Sequence, residues 1–144
     1  MQTSILRGSA AIIERDDGKV LMHLRNRSAW IYPNCWAFFG GGAQPGESAS
    51  AALRRELLEE LGYFSFDHRL FSVAWHRKGK KRILDYTFLV SWHQRNVRLD
   101  EGKGKEWFSL EEALSLPTLP PHERGDLTRL QTLRSRHSVV LIAA

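Results

Sequence analysis

Cysteine is almost absent from this chain: Cys35 is the only one in 144 residues. No internal disulfide can form, which suits a reducing compartment. No histidine pairs with Cys35 at a zinc-ligand spacing, so a structural zinc site is not expected. Long apolar runs are missing as well. The apolar stretch at residues 139–144 is far too short to cross a bilayer, and residues 1–11, interrupted by Arg7, are too polar for a secretory leader. Repeats, low-complexity segments and linkers are not found. These absences lead us to expect one soluble, cytoplasmic domain over residues 1–144, with no membrane partner.

What is present is ordinary for a globular protein, with 42% apolar and 26% charged residues. The formal charge is +5, and much of the excess lies in residues 77–82 and 124–137. Basic surfaces attract polyanions such as nucleotides or nucleic acids. The segment His76-Arg77-Lys78-Gly79-Lys80-Lys81 has no interleaved aromatic residues and reads as a hairpin tip. A nucleic-acid partner is therefore not expected.

The densest information lies in residues 41–63, GGAQPGESASAALRRELLEELGY. Residues 48–61 are strong helix formers with no internal Gly or Pro. Ser48 is a cap candidate and Gly62 a stop. Leu53, Leu57 and Leu61 recur every four residues, forming an apolar stripe. Glu56, Glu59 and Glu60, at i, i+3 and i+4, share another face. Carboxylates held this close repel unless protons or cations intervene, and an all-oxygen donor set suits a hard divalent ion such as Mg²⁺. A solvated acidic face is the alternative for LRRELLEEL taken alone.

The full pattern, G-x5-E-x7-R-E-U-x-E-E-x-G-U with U bulky and apolar, resembles the signature box of the Nudix hydrolases. Gly41, Glu47, Arg55, Glu56, Leu57, Glu59, Glu60, Gly62 and Tyr63 fill its fixed positions. The resemblance implies that Glu56, Glu59 and Glu60 bind metal with Gly41, and that one of these glutamates positions or deprotonates the attacking water. It implies Mg²⁺ as cofactor, with Mn²⁺ as an alternative, and Glu47 with Arg55 as a structural pair. Gly40, Gly41 and Gly42 are expected to form a loop whose backbone approaches metal and phosphate.

Elsewhere the chain reads as strands around this helix. Residues 9–14 and Val20–Leu24 flank the turn Asp16-Asp17-Gly18 as a hairpin. Residues 36–39 form a short strand, residues 70–75 and 83–92 a pair, and residues 106–109 a last strand. Ser109 caps a short helix ending near Ser115, ahead of Pro117. A final helix is expected over residues 122–136, with Gly125 blurring its start. The fold class is α+β, and the resemblance implies a Nudix-type α/β/α sandwich with a mixed β-sheet between helices.

Residues 101–107, EGKGKEW, are similar to the acidic loop of MutT-like nucleoside triphosphate pyrophosphohydrolases. There Glu101 matches a further catalytic or liganding carboxylate. Arg25 and Arg27 are candidate phosphate contacts, weighed against plain surface charge, and Gly42 is a further substrate-binding candidate. His122 falls where oxidised-guanine-cleaving relatives carry Asn. Phe71, Trp75 and Tyr86 can stack on a base, although strand aromatics are more often core. The expected substrate is a small nucleoside diphosphate derivative, either a nucleoside triphosphate or a nucleotide sugar. An RNA 5′-end pyrophosphohydrolase and a non-catalytic nucleotide sensor are the alternatives. A homodimer stays open, since no segment announces an interface.

Overall fold

The computed structural model describes residues 5–29, 32–64, 66–93 and 104–143. Seven strands, β1 (Ile5–Glu14), β2 (Val20–Leu24), β3 (Trp36–Ala37), β4 (Phe39–Gly42), β5 (His68–Lys78), β6 (Lys81–Ser91) and β7 (Lys105–Phe108), form one mixed sheet. Three helices, α1 (Ala49–Leu61), α2 (Leu110–Leu114) and α3 (Pro121–Ala143), cover it.

β1 is the organising strand. It runs parallel to β6 from Ile5↔Arg82 to Glu14↔Ser91 and antiparallel to β4 along Gly8↔Gly42 to Ala11↔Phe39. Its far end forms the expected hairpin with β2. Strands β3 and β4 are separated only by Phe38, so this segment leaves β2 and passes to β1.

Alternation sorts the core into two layers. Ala11, Ile13, Phe88 and Val90 meet Leu53, Leu57 and Leu61 of α1, with Tyr63, Phe66 and Trp92 closing that side. Ala10, Ile12, Val20 and Met22 face the opposite way, onto Leu110 and Ala113 of α2 and Leu127 and Leu130 of α3. The result is the expected α/β/α sandwich.

The local signals held in detail. Ser48 accepts from Ala51 N, and Gly62 ends α1 in the left-handed region at φ 64°. Ser109 and Glu112 form a reciprocal capping box on α2, which ends at Ser115. α3 starts at Pro121, as a first-turn proline permits, and its backbone continues past residue 136 to Ala143. Gly125 lies inside it. Arg134 Nη2 bonds Glu14 Oε2 and Nη1 bonds Gly18 O, tying α3 to the β1–β2 turn.

One element differs from the sequence reading: Gly40, Gly41 and Gly42 belong to strand β4, not to a loop. The close pairing with β1 explains why only glycine fits. At Gly40, with φ 151°, an added Cβ would sit 2.0 Å from Ser9 O.

Candidate active site

Helix α1 aims its acidic face at strand β4. Leu53 and Leu57 seat the helix on the sheet, which turns Glu56 toward the glycines. Glu56 and Glu60 are half-buried and Glu59 is exposed. A Cβ on Gly41 would lie 2.6 Å from Cδ and Oε1 of Glu56, so the glycine makes room for this carboxylate.

Arg55 organises the loop before the helix. Its Nε and Nη2 reach Glu47 Oε2 and Oε1 at 3.0 and 2.9 Å, and Nη2 also donates to Gly42 O at 2.9 Å. Nη1 donates to Glu56 Oε1 at 2.9 Å and lies 3.5 Å from Glu59 Oε2. Glu47 also accepts from Gln44 N. Hydrogen bonds from Arg55 and then from that backbone hold the Glu47 carboxyl below the usual carboxylate range. Such bidentate forks fix both partners geometrically.

Glu60 is perturbed in the opposite sense. Burial first, then the hydrogen bond with Glu56 and its charge, push its carboxyl up to about 8, while Lys105 pulls against the rise. Its Oε2 is buried without a hydrogen-bond partner. A buried, unsatisfied carboxylate oxygen beside a second carboxylate fits a divalent cation, which supplies the charge that a shared proton otherwise provides.

On the other face of the sheet, glycines of β1 and β4 border a cavity of about 250 Å³. Its lining includes Arg25, Tyr32, Phe38, His122 and Glu123, together with all three glycines of β4. Arg25 is thus at the cavity, whereas Arg27 is exposed and outside its lining. Of the aromatic stacking candidates, none lines it. Phe71 and Tyr86 pack against the two cores, and Trp75 lies on the surface beneath Arg82, 4.4 Å away. Trp107 packs against the α1-side core with Arg15 stacked over it. Glu101 falls outside the described residues.

Sequence reasoning missed the polar floor of this cavity. His76, Asp85 and Glu123 line it beside His122, and Asp126 lies behind, 3.3 Å from His122 Nε2. Burial pushes the Glu123 carboxyl up to about 7 and raises Asp85 against the pull of His122 and His76. Burial, and then the charge of His122, lower His76. His76 Nε2 and Asp85 Oδ2 lie 3.7 Å apart, yet each is biased toward its neutral form, because burial outweighs their attraction. These residues lie on β5, β6 and α3, so spacing alone carried no signal. Only the alternation of β5 and β6 hints that His76 and Asp85 share a face.

A mixed sheet between helices, with a glutamate-bearing helix packed on a triglycine strand, defines a Nudix-type hydrolase architecture. The NUDIX domain model matches residues 5–130, and the chain belongs to that family of hydrolases. It is 36% identical over 115 residues to the CTP pyrophosphohydrolase of Escherichia coli (strain K12), covering 77% of this chain and 81% of that protein. The solution structure of the E. coli ORF135 protein superposes with a TM-score of 0.75 at 31% identity, covering 93% and 94% of the two chains. A MutT protein from Methanosarcina mazei Go1 shares the fold at TM-score 0.77 and 22% identity, over 93% and 98%. Among the described residues, no helix is long and apolar enough to cross a membrane.

Proposed function

We propose that this Nudix hydrolase is a Mg²⁺-dependent pyrophosphohydrolase of nucleoside triphosphates, releasing a nucleoside monophosphate and pyrophosphate, with a cytosine nucleotide among its substrates. One observation carries the reading: the half-buried Glu56 carboxylate, hydrogen-bonded to Glu60, abuts the triglycine strand that also borders the cavity. A phosphate chain can then lie over bare backbone, between the acidic helix and a base in the cavity. The likeness to the CTP pyrophosphohydrolase supports both the triphosphate and the base.

In this reading Glu56, Glu59 and Glu60 hold the cation with the Gly41 backbone. An ion held there, Mg²⁺ or Mn²⁺, would supply charge neutralisation for the diphosphate and activation of water. Glu60, half-buried beside Glu56, orients the attacking water or takes its proton. Arg55 and Glu47 brace Gly42 and Glu56 so that neither drifts during the reaction. Arg25 meets phosphate oxygens. Tyr32 and Phe38 offer the base an aromatic wall. Glu123, neutral up to about pH 7, presents an O–H donor and a C=O acceptor, complementary to the ring nitrogen and amino group of cytosine. Uracil lacks that amino group.

The test is hydrolysis of CTP, UTP, ATP, GTP, nucleotide sugars and 5′-triphosphate RNA with Mg²⁺. Turnover of triphosphates with CTP ahead of UTP is expected. Turnover confined to nucleotide sugars or RNA contradicts the reading.

A further inference from the structure

The floor of the cavity carries a second set of donor atoms, separated by the sheet from the carboxylates of α1. His76 lies on β5 and Asp85 on β6. Both point to the α3 face, because the register pairs Ala74 with Asp85 and His76 with Ile83. His122 and Asp126 project from one face of α3 at i and i+4. One ligand atom each from His76, Asp85 and His122 lie within 4.8 Å of one another. The two imidazole rings meet edge-on with centroids 4.8 Å apart. Asp126 Oδ2 is 3.3 Å from His122 Nε2.

Two of these atoms lack a hydrogen bond, although each lies within ion-pair distance of a neighbour, Asp85 Oδ2 at 3.7 Å and His122 Nε2 at 3.3 Å. His76 Nε2 and Asp126 Oδ2 are buried and make no hydrogen bond, and the Asp126 side chain is only 9% exposed. Native interiors rarely leave such groups unsatisfied. Gly8 contributes to the seat, since a Cβ there would stand 2.8 Å from Asp85 Oδ1. Thr87 Oγ1, 3.0 Å from His122 Nε2, is the contact that an entering ion would replace.

We propose that His76, Asp85, His122 and Asp126 form a binding site for a borderline divalent transition ion, with Zn²⁺ as the best chemical match. Two imidazoles and two carboxylates are a four-coordinate donor set that suits Zn²⁺, whereas Mg²⁺ prefers oxygen donors alone. Two neutral imidazoles and two carboxylates balance a dication in charge. The orphaned nitrogen and oxygen both gain a partner. The site shares no residue with the α1 carboxylates, and Co²⁺ binding is read without turnover, although His76, Asp85 and His122 line the cavity in which the proposed function seats the base.

Co²⁺ is the probe, because its four-coordinate complexes absorb visibly. It is titrated into the full-length protein carrying Glu60→Gln, which weakens the oxygen site, and then displaced with Zn²⁺. The expected result is a saturable visible band, bleached by Zn²⁺ and retained in this background. His76→Gln and Asp126→Asn, added separately, should each weaken binding about tenfold or more. Both substitutions approximate the original shape, and circular dichroism identifies a variant that fails to fold, in which case the other decides. Absence of the band in the parent background, or a band that a folded His76→Gln or Asp126→Asn variant leaves unchanged, overturns the proposal.

Discussion

Replacing Gly41 by alanine places a methyl carbon 2.6 Å from both Cδ and Oε1 of Glu56. Ordinary van der Waals contact begins near 3.4 Å, so the carboxylate must retreat by about 0.8 Å. It cannot retreat freely, because Arg55 Nη1 holds Oε1 at 2.9 Å and Glu60 hydrogen-bonds the same group. A misplacement of about 1 Å at a reacting centre costs roughly 100-fold in rate, equivalent to about 2.7 kcal/mol of barrier. Stability should change little, since the Glu56 side chain is not part of either core and Gly41 does not have positive φ. The assay is Mg²⁺-dependent hydrolysis of the best triphosphate, read beside a thermal melt. Gly125→Ala is the control, with open space around its Cβ and a helical backbone, and should raise stability by up to about 1 kcal/mol. Unchanged turnover in Gly41→Ala, or a loss of rate matched by a collapse in Tm, refutes the reasoning.

Two further outcomes follow from the same geometry. Arg55→Lys keeps the charge but loses the fork that spans Glu47, Gly42 O and Glu56; turnover should fall about tenfold or more, with wild-type kcat contradicting the bracing role. His23 is half-buried, and that burial holds its imidazole down at about 4 against an ordinary 6.5, although it hydrogen-bonds Phe38 O. The unfolded chain therefore binds this proton first. The stability is complete above about pH 6.5 and is lost as pH falls toward 4, by at most about 3 kcal/mol. Urea unfolding from pH 7 to 4 should show a shallower acid loss in His23→Gln, and an identical slope would exclude His23 as its source.

Much of the carboxylate helix was legible because its signals are local. Ser48, Gly62 and the Leu53–Leu57–Leu61 stripe are each read within a turn or two of chain, and α1 follows them. The sandwich followed from strand patterns plus the resemblance carried by the box. The glycine segment was misread because nothing in GGG itself says that β1 lies alongside; that pairing is a contact between residues about thirty apart. The parallel β1–β6 pairing joins residues still further apart. The cavity floor was hidden for the same reason, since His76, Asp85 and Glu123 meet only after the sheet forms and α3 packs on it. Arg25 and Arg27 were indistinguishable by residue type, and only the fold separates the cavity residue from the exposed one.

The most direct test of the account is Mg²⁺-dependent triphosphate hydrolysis by Glu60→Gln. Glutamine resembles the protonated carboxyl that burial and Glu56 favour, so the fold should keep or slightly raise its Tm. It cannot serve as an anionic ligand or a base. Turnover should fall roughly a thousandfold in a protein that melts normally. A folded Glu60→Gln enzyme that hydrolyses nucleoside triphosphates at close to the wild-type rate would contradict it.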